Sequence, residues 1–398
     1  MMLILNFIAL LLFLITAFTV LYTFIFSVAG NFARTKEFKH GDLFKKIAVF
    51  IPCHKQDESI LRTAEHALFQ KYPSHRYDVI VIGDALQQLT VDKLKKLPLK
   101  YIEAHYDISA KAKALNVAFD ELKDNYDIAI ILDADQFMKP DFLDKINTAF
   151  IRGCYAVQGH KILRNTSTNI ATLEGLIIEI NNHIFRKGQQ AFGFSSAVTG
   201  SAIAFSYKYL KLVVEEMKME KGFDKELELK LVEDNHRIIY IEDAIVTDDK
   251  IMISERFTHQ RSDWIFSQFS YFKSHVSKGI LSMLFGKFDY ANKIAHFALV
   301  PKVILLTFLL IVTAISWYFN PDLIIGFNAW ATISVLYVIA FLIAIPFRYY
   351  NLTTLKAVAS LPWSFLLIFK ELFIFKTPAA PYMPHGAVTQ FENQTKEK

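Results

Sequence analysis

The chain opens on an almost unbroken apolar run. Met1 to Val28 reads MMLILNFIALLLFLITAFTVLYTFIFSV. As a helix this stretch would span roughly 40 Å, enough to cross a bilayer with tilt. A signal peptide has a shorter apolar core followed by small residues at a cleavage site, so the pattern predicts a membrane anchor. Arg34, Lys36, Lys39, Lys45 and Lys46 follow. The positive-inside rule then predicts a cytoplasmic location for what comes next.

The pattern changes at Ile47. Ile47–Ile51 and Tyr77–Ile82 are short, apolar and β-branched, and predict buried strands, as does Tyr126–Leu132. Between them Glu58–Gln70 and Ala110–Leu122 have helical spacing. Strands alternating with helices predict a mostly parallel α/β sheet with ligands at the carboxyl ends of its strands. Long apolar runs return at Phe297–Phe319 and Leu323–Phe347, separated by Asn320-Pro321-Asp322. They predict a membrane hairpin. Val276–Phe288 mixes apolar residues with Lys278 and Lys287 and predicts an interfacial helix. Leu355–Phe375 is apolar but carries Pro362, Lys370 and Glu371, which favours an interfacial or re-entrant helix over a span. The resulting division is 1–29 membrane helix, 30–275 catalytic domain, 276–376 interfacial helices and hairpin, and 377–398 polar tail.

Composition agrees. Of 398 residues 53% are hydrophobic, with 36 Phe and 17 Tyr, more than a soluble enzyme of this length would carry. The net charge of +5 is spread along the chain, without a basic helix interleaved with aromatics, so nucleic acid is not the expected partner. The two cysteines, Cys53 and Cys154, have no metal-binding spacing and suggest a reducing compartment. A transporter is disfavoured by the large polar domain and the lack of an evident intramembrane charge pair.

Chemistry gathers where strands end. Asp133 and Asp135 directly follow the third strand, and two carboxylates so spaced can hold a hard divalent cation, Mg2+ or Mn2+. Such a cation stabilises a diphosphate as a leaving group. Asp84 ends the second strand, where an acid can accept a hydrogen bond from a nucleobase edge or a ribose hydroxyl. Lys111 opens a helix and can meet phosphate charge. Taken singly, each has a plain structural alternative: a turn aspartate, a strand cap or a solvated lysine.

In order, these residues resemble the family-two glycosyltransferases of the GT-A fold. They are most similar to the membrane-bound branch that contains the cellulose, chitin, hyaluronan and poly-N-acetylglucosamine synthases. The resemblance runs from Ala48 to Tyr271. It implies a nucleotide-sugar donor, with UDP as the nucleotide, bound by Pro52, His54, Asp57, Asp84, Lys111, Asp133 and Asp135. It implies an acceptor site at Thr199, Gly200 and Ser201 and at Gln260, Arg261 and Trp264, with the indole stacked under a sugar. It also implies a general base in the segment Phe223-Asp224-Lys225-Glu226. By the spacing of the following leucines Glu226 stands in the family's aspartate position, and Asp224 substitutes if the loop shifts. The chain departs from the family at Lys55-Gln56-Asp57, Lys225-Glu226 and Asp263.

The expected protein is therefore an inverting enzyme integral to the cell inner membrane, with a cytoplasmic catalytic domain. It would form a β-linkage to a glycan or lipid-linked acceptor, as in polysaccharide synthesis. A polyprenyl-phosphate sugar transferase and a non-catalytic glycosyltransferase-like subunit remain as alternatives.

Overall fold

The computed structural model describes residues 2–33, 43–105, 111–122, 126–164, 168–217, 222–248, 254–319 and 325–359, with side chains omitted at a few helical positions including 254–263. The chain forms two compact units. One comprises the described residues within 35–167 and 195–257, and the other those within 1–34, 168–194 and 258–371.

The first unit is built on one sheet. Its described strands are β1 (Ile47–His54), β2 (Tyr77–Asp84), β3 (Lys100–Glu103), β4 (Ile128–Ile131), β5 (Gln136–Met138), β6 (Ala156–Leu163), β7 (Ile203–Ser206) and β8 (Ile238–Asp248). The order across the sheet is β3-β2-β1-β4-β7-β6-β8-β5. The pairs β1–β2, β1–β4, β2–β3 and β6–β8 are parallel, whereas β4–β7, β5–β8 and β6–β7 are antiparallel. The sheet is thus mixed. Alternation of strands and helices holds through β4, and β7 then enters the sheet antiparallel beside it.

β1 and β4 are apolar on both sides because both sheet faces are covered. On one face Phe50 packs edge-on against Phe119 of the helix Lys111–Glu121, their ring centres 5.2 Å apart. On the other, Ile60, Ala64 and Ala67 of the helix Asp57–Ala67 join the core of Val49, Ile51, Val79 and Val81. β1, β2 and β4 run parallel in matched register, so His54, Asp84 and the residues after Ile131 emerge at one edge.

The second unit is helical. Asn6–Gly30, Lys302–Phe319 and Phe327–Ala344 are, among the described residues, three helices long and apolar enough to cross a membrane. The Thr16, Thr19 and Thr23 hydroxyls donate to carbonyls one turn back, which satisfies them inside the helix. Val20, Leu305, Leu309, Trp330, Ile333 and Tyr337 form the core between these helices. The helix Asn169–Asn182 belongs to this unit and continues through a π-helical turn at His183–Gly188. There Gly188 is needed, since a Cβ would lie 2.1 Å from the Phe26 carbonyl oxygen.

Two predicted boundaries move. The run Phe297–Phe319 is divided into helices Phe288–Phe297 and Lys302–Phe319. Pro301 explains the break, since proline lacks an amide proton and keeps the residue before it out of helical geometry. The segment from Val276 is the end of a single longer helix, Ser254–Leu284, not a separate one. The last apolar stretch is described as far as the helix Leu352–Ala359, and the rest of it and the tail lie outside the described residues.

Candidate active site

At the carboxyl edge of β1 and β2 the donor candidates hold one another. His54 Nδ1 is 2.6 Å from Asp84 Oδ2. Lys55, in a left-handed conformation at φ 51°, donates its amide to the Asp84 carbonyl. Asp57 Oδ1 accepts the amide of Gln87 at 2.9 Å, so Asp57 fastens the loop that follows β2. Pro52 lies in register with Ile82 inside the sheet.

The segment after β4 joins this edge. Thr63, on the helix Asp57–Ala67, donates to the Ala134 carbonyl at 2.8 Å. Asp133 is gripped on both carboxylate oxygens: Lys111 Nζ donates to Oδ1 at 2.7 Å and Gln136 Nε2 to Oδ2 at 3.3 Å. Asp135 lies close enough to Cys53 to act on it. Burial pushes the Cys53 thiol far above its usual range, the Gln56 amide opposes this, and the charges of Asp57, Asp135 and Asp84 raise it further. Four carboxylates therefore share this edge, a field that attracts cations.

Lys111 also donates to the Gly200 carbonyl at 2.8 Å. This one ammonium ties the Asp133–Asp135 segment to the turn that carries Thr199, Gly200 and Ser201. Gly200 has φ 69°, a conformation L side chains rarely adopt. Among the described residues other than its chain neighbours, the only atom within 4 Å of a Cβ added there is Asp224 Cβ, at 3.5 Å. Asp224 opens the helix Phe223–Glu233, and its Oδ2 is 4.0 Å from Lys225 Nζ. One turn on, Glu228 Oε2 accepts the Val198 amide at 3.0 Å. Asp224 and Glu228 thus present one helix face to the turn. Residues two apart on a helix diverge by about 200°, so half-buried Glu226 starts from a different face. The structure brings Asp224 to the turn, where the leucine spacing favours Glu226.

Ser201 closes the cluster. Its hydroxyl accepts the Asp133 amide at 2.9 Å and donates to Gln136 Oε1 at 2.6 Å. Sequence reasoning assigns no role to Gln136 or to Gln158, which Thr199 and Ser201 also contact. Their signal is faint: a glutamine within or beside an apolar strand is polar where the pattern asks for burial.

Trp264 lies in the helical unit and is 48% exposed. The side chains of Gln260 and Arg261 are outside the described set.

The donor set suits a divalent cation of the Mg2+ or Mn2+ type. Among the described residues no group of three or more His, Cys, Asp or Glu gathers as a metal cage. Such ions are usually held by one or two carboxylates with substrate phosphates and water completing the shell. Asp135, beside an Asp133 already engaged by Lys111, fits that arrangement.

With this geometry in view, the family question has a direct answer. The glycosyltransferase like family 2 matches residues 45–267, more than half of the chain. The chain belongs to that family. The match begins just before β1 and covers every strand described above. Among solved structures the chain is similar to the mannosyltransferase PcManGT from Pyrobaculum calidifontis, in complex with GDP-Man and Mn2+. The identity is 15% and the TM-score 0.52, over 82% of this chain and 96% of that one. It is also similar to glucosyl-3-phosphoglycerate synthase from Mycobacterium tuberculosis, in complex with Mn2+, UDP and phosphoglyceric acid. There the identity is 13% and the TM-score 0.38, over 56% and 76%. At 15% identity the likeness to the mannosyltransferase is one of fold. No curated protein matches the chain. Family-two membership and the sheet agree on a GT-A glycosyltransferase with apolar helices attached.

Proposed function

We propose that this family-two glycosyltransferase is a membrane-anchored inverting enzyme. It would move a sugar from a nucleotide-sugar, with UDP as the expected nucleotide, to a glycan or lipid-linked acceptor at the cytoplasmic face. The observation that carries the reading is the double contact of Lys111 with Asp133 and Gly200, beside Asp224. It supports a single cleft in which donor and acceptor sides meet.

In this reading Asp84, held by His54, accepts a hydrogen bond from the base or ribose. Lys111 faces the diphosphate, and Asp135, with Asp133 beside it, would hold the divalent cation. Bound there, the cation would neutralise charge on the departing nucleoside diphosphate. The similar mannosyltransferase is in complex with Mn2+, which agrees with this donor set. The acceptor hydroxyl sits at the Thr199–Ser201 turn and passes its proton to Asp224 as the oxygen attacks the anomeric carbon in line. Attack opposite the leaving group turns an α-linked donor into a β-linkage. Asp224 is preferred to Glu226 as base because it is the acid that abuts Gly200. Trp264, Gln260 and Arg261 are proposed to supply the acceptor platform, as in the polysaccharide-synthase branch. The membrane setting rests on the three apolar helices. The basic residues after the first helix support the cytoplasmic orientation.

The test is nucleotide release by the purified full chain from a panel of UDP- and GDP-sugars, with Mn2+ and with EDTA. Release from at least one donor, lost in EDTA, is expected. Release from none would overturn the catalytic reading and favour a non-catalytic subunit.

A further inference from the structure

The turn from Thr199 to Ala202 is an unusual piece of backbone. Gly200 has φ 69° and Ala202 has φ 53°, so two of its four residues are left-handed and one of those is not glycine. Such backbone persists only where the surroundings over-determine it. Here the surroundings include one side chain on a neighbouring strand. Gln158 of β6 is fully buried, in register with Ile203 of β7. Its Oε1 accepts the Thr199 amide at 3.0 Å. Its Nε2 donates to the carbonyls of Ser201 at 3.0 Å, Ala202 at 3.1 Å and its own neighbour Gly159 at 3.0 Å. The turn's path therefore presents an amide donor and two carbonyl acceptors to one point. A carboxamide answers both needs with a single group, whereas an ionised carboxylate has no donor and a thioether has almost neither.

We propose that Gln158 is a positioning residue that fixes the acceptor-side turn relative to the base. The inference rests on the glycosyl-transfer reading above. The chain of contacts shows how it acts. Gln158 holds the backbone of Thr199, Ser201 and Ala202. Ser201 passes the restraint to Asp133 and Gln136 through its hydroxyl. Gly200, at the middle, receives Lys111 and abuts Asp224. Gln158 contacts neither His54 nor Asp84, whose own pairing lies at the β1–β2 edge. Loosening it displaces the turn against Asp224 and leaves the nucleotide edge in place. The consequence is graded: transfer to an acceptor depends on Gln158 directly, and capture of the nucleotide, which reaches Gln158 only through Ser201 and Asp133, depends on it far less.

The experiment compares Gln158→Met and Gln158→Glu with the wild-type full chain. UDP and GDP affinity are measured with Mn2+, and donor hydrolysis by water is compared with transfer. The acceptor probes are undecaprenyl phosphate and a short glucose oligosaccharide, and whichever the wild type uses serves for the variants. Amide hydrogen exchange is followed at Thr199. Because a misplacement of about 1 Å can cost on the order of 100-fold in rate, transfer should fall by about that factor in both variants. Nucleotide affinity and hydrolysis should each fall by far less than transfer. Thr199 exchange should speed up in Gln158→Met, while amides in β1 and β2 keep their protection.

Transfer that is unchanged in a folded variant would overturn the proposal. So would nucleotide affinity and hydrolysis falling in step with transfer, since that marks a general structural role. If wild-type protein releases nucleotide from no donor, it is the glycosyl-transfer reading that fails. The exchange measurement then decides the turn separately, and unchanged protection at Thr199 in Gln158→Met would refute it. Should the methionine variant not fold, Gln158→Glu keeps the acceptor for Thr199 and carries the same comparison.

Discussion

Replacing Lys111 with methionine tests the cleft at its centre. The ammonium sits 2.7 Å from Asp133 Oδ1 and 2.8 Å from the Gly200 carbonyl. At 2.7 Å and an effective dielectric of about 20, the gross Coulomb attraction is about 6 kcal/mol. Much of it is offset by desolvation and screening, because the two side chains keep 26% and 27% of their exposure. A hydrogen bond to a charged group is worth about 1.5–3 kcal/mol net, and we expect a stability loss near the middle of that range, roughly 2 kcal/mol. For a catalytic unit of this size that lowers Tm by roughly 4–8 °C. The effect on rate is larger, since the Gly200 carbonyl and Asp133 lose their shared tether. Nucleotide release should drop by about 100-fold or more, the cost of a misplacement near 1 Å. Lys111→Arg should recover the Tm and only part of the rate, because a planar fork cannot reproduce a point donor to two oxygens. The assays are thermal melting and nucleotide release on the same preparations. A Lys111→Met protein with wild-type Tm and wild-type turnover would refute the reasoning.

Other expectations follow from the same geometry. Asp224→Asn should lower the transfer rate by about 10²–10⁴-fold, as loss of a general base does, whereas Glu226→Gln should stay close to wild type; steady-state kinetics with saturating donor separates them. Gly200→Ala places a side chain at φ 69°, and should destabilise by about 1–2 kcal/mol, read from urea denaturation. His236, half-buried and stacked 3.7 Å from Tyr155, has its pKa lowered from 6.5 by burial, with Asp234 opposing. The folded state thus binds this proton less readily than the unfolded one. Its contribution to stability is full above pH 6.5 and is lost as pH falls through the lower folded value. Melting curves between pH 5 and pH 8 should show that slope, and His236→Phe should flatten it.

Much of the catalytic unit was legible because its pattern is local. Apolar runs closed by polar residues gave β1, β2 and β4 with the correct edge, and Asp84, Asp133 and Asp135 follow from the ends of β2 and β4. The second half of the sheet was less legible. The antiparallel entry of β7 beside β4 depends on long-range pairing that no local period encodes. The proposed base illustrates the limit most sharply. Leucine spacing favours Glu226, but which acid meets the turn depends on how the helix Phe223–Glu233 is rotated against Gly200, and Glu228 fixes that rotation through the Val198 amide. Gln136 and Gln158 were passed over for a related reason. Gln158 meets backbone groups, and Gln136 a serine hydroxyl, of a turn more than 40 residues further along the chain, so nothing beside them in sequence announces those contacts. In the helical unit the apolar runs were evident, and Pro301 set the break that hydropathy alone smooths over.

Electron paramagnetic resonance of Mn2+ tests the assembled edge most directly. Free Mn2+ would be titrated with the full chain, with and without UDP or GDP, in wild type and in Asp135→Ala. The account predicts that wild-type protein removes the free-ion signal mainly when nucleoside diphosphate is present, and that Asp135→Ala, still folded, leaves the signal intact. Equal uptake of Mn2+ by both proteins, or uptake indifferent to nucleotide, would contradict a shared site for cation and diphosphate at the ends of β1, β2 and β4.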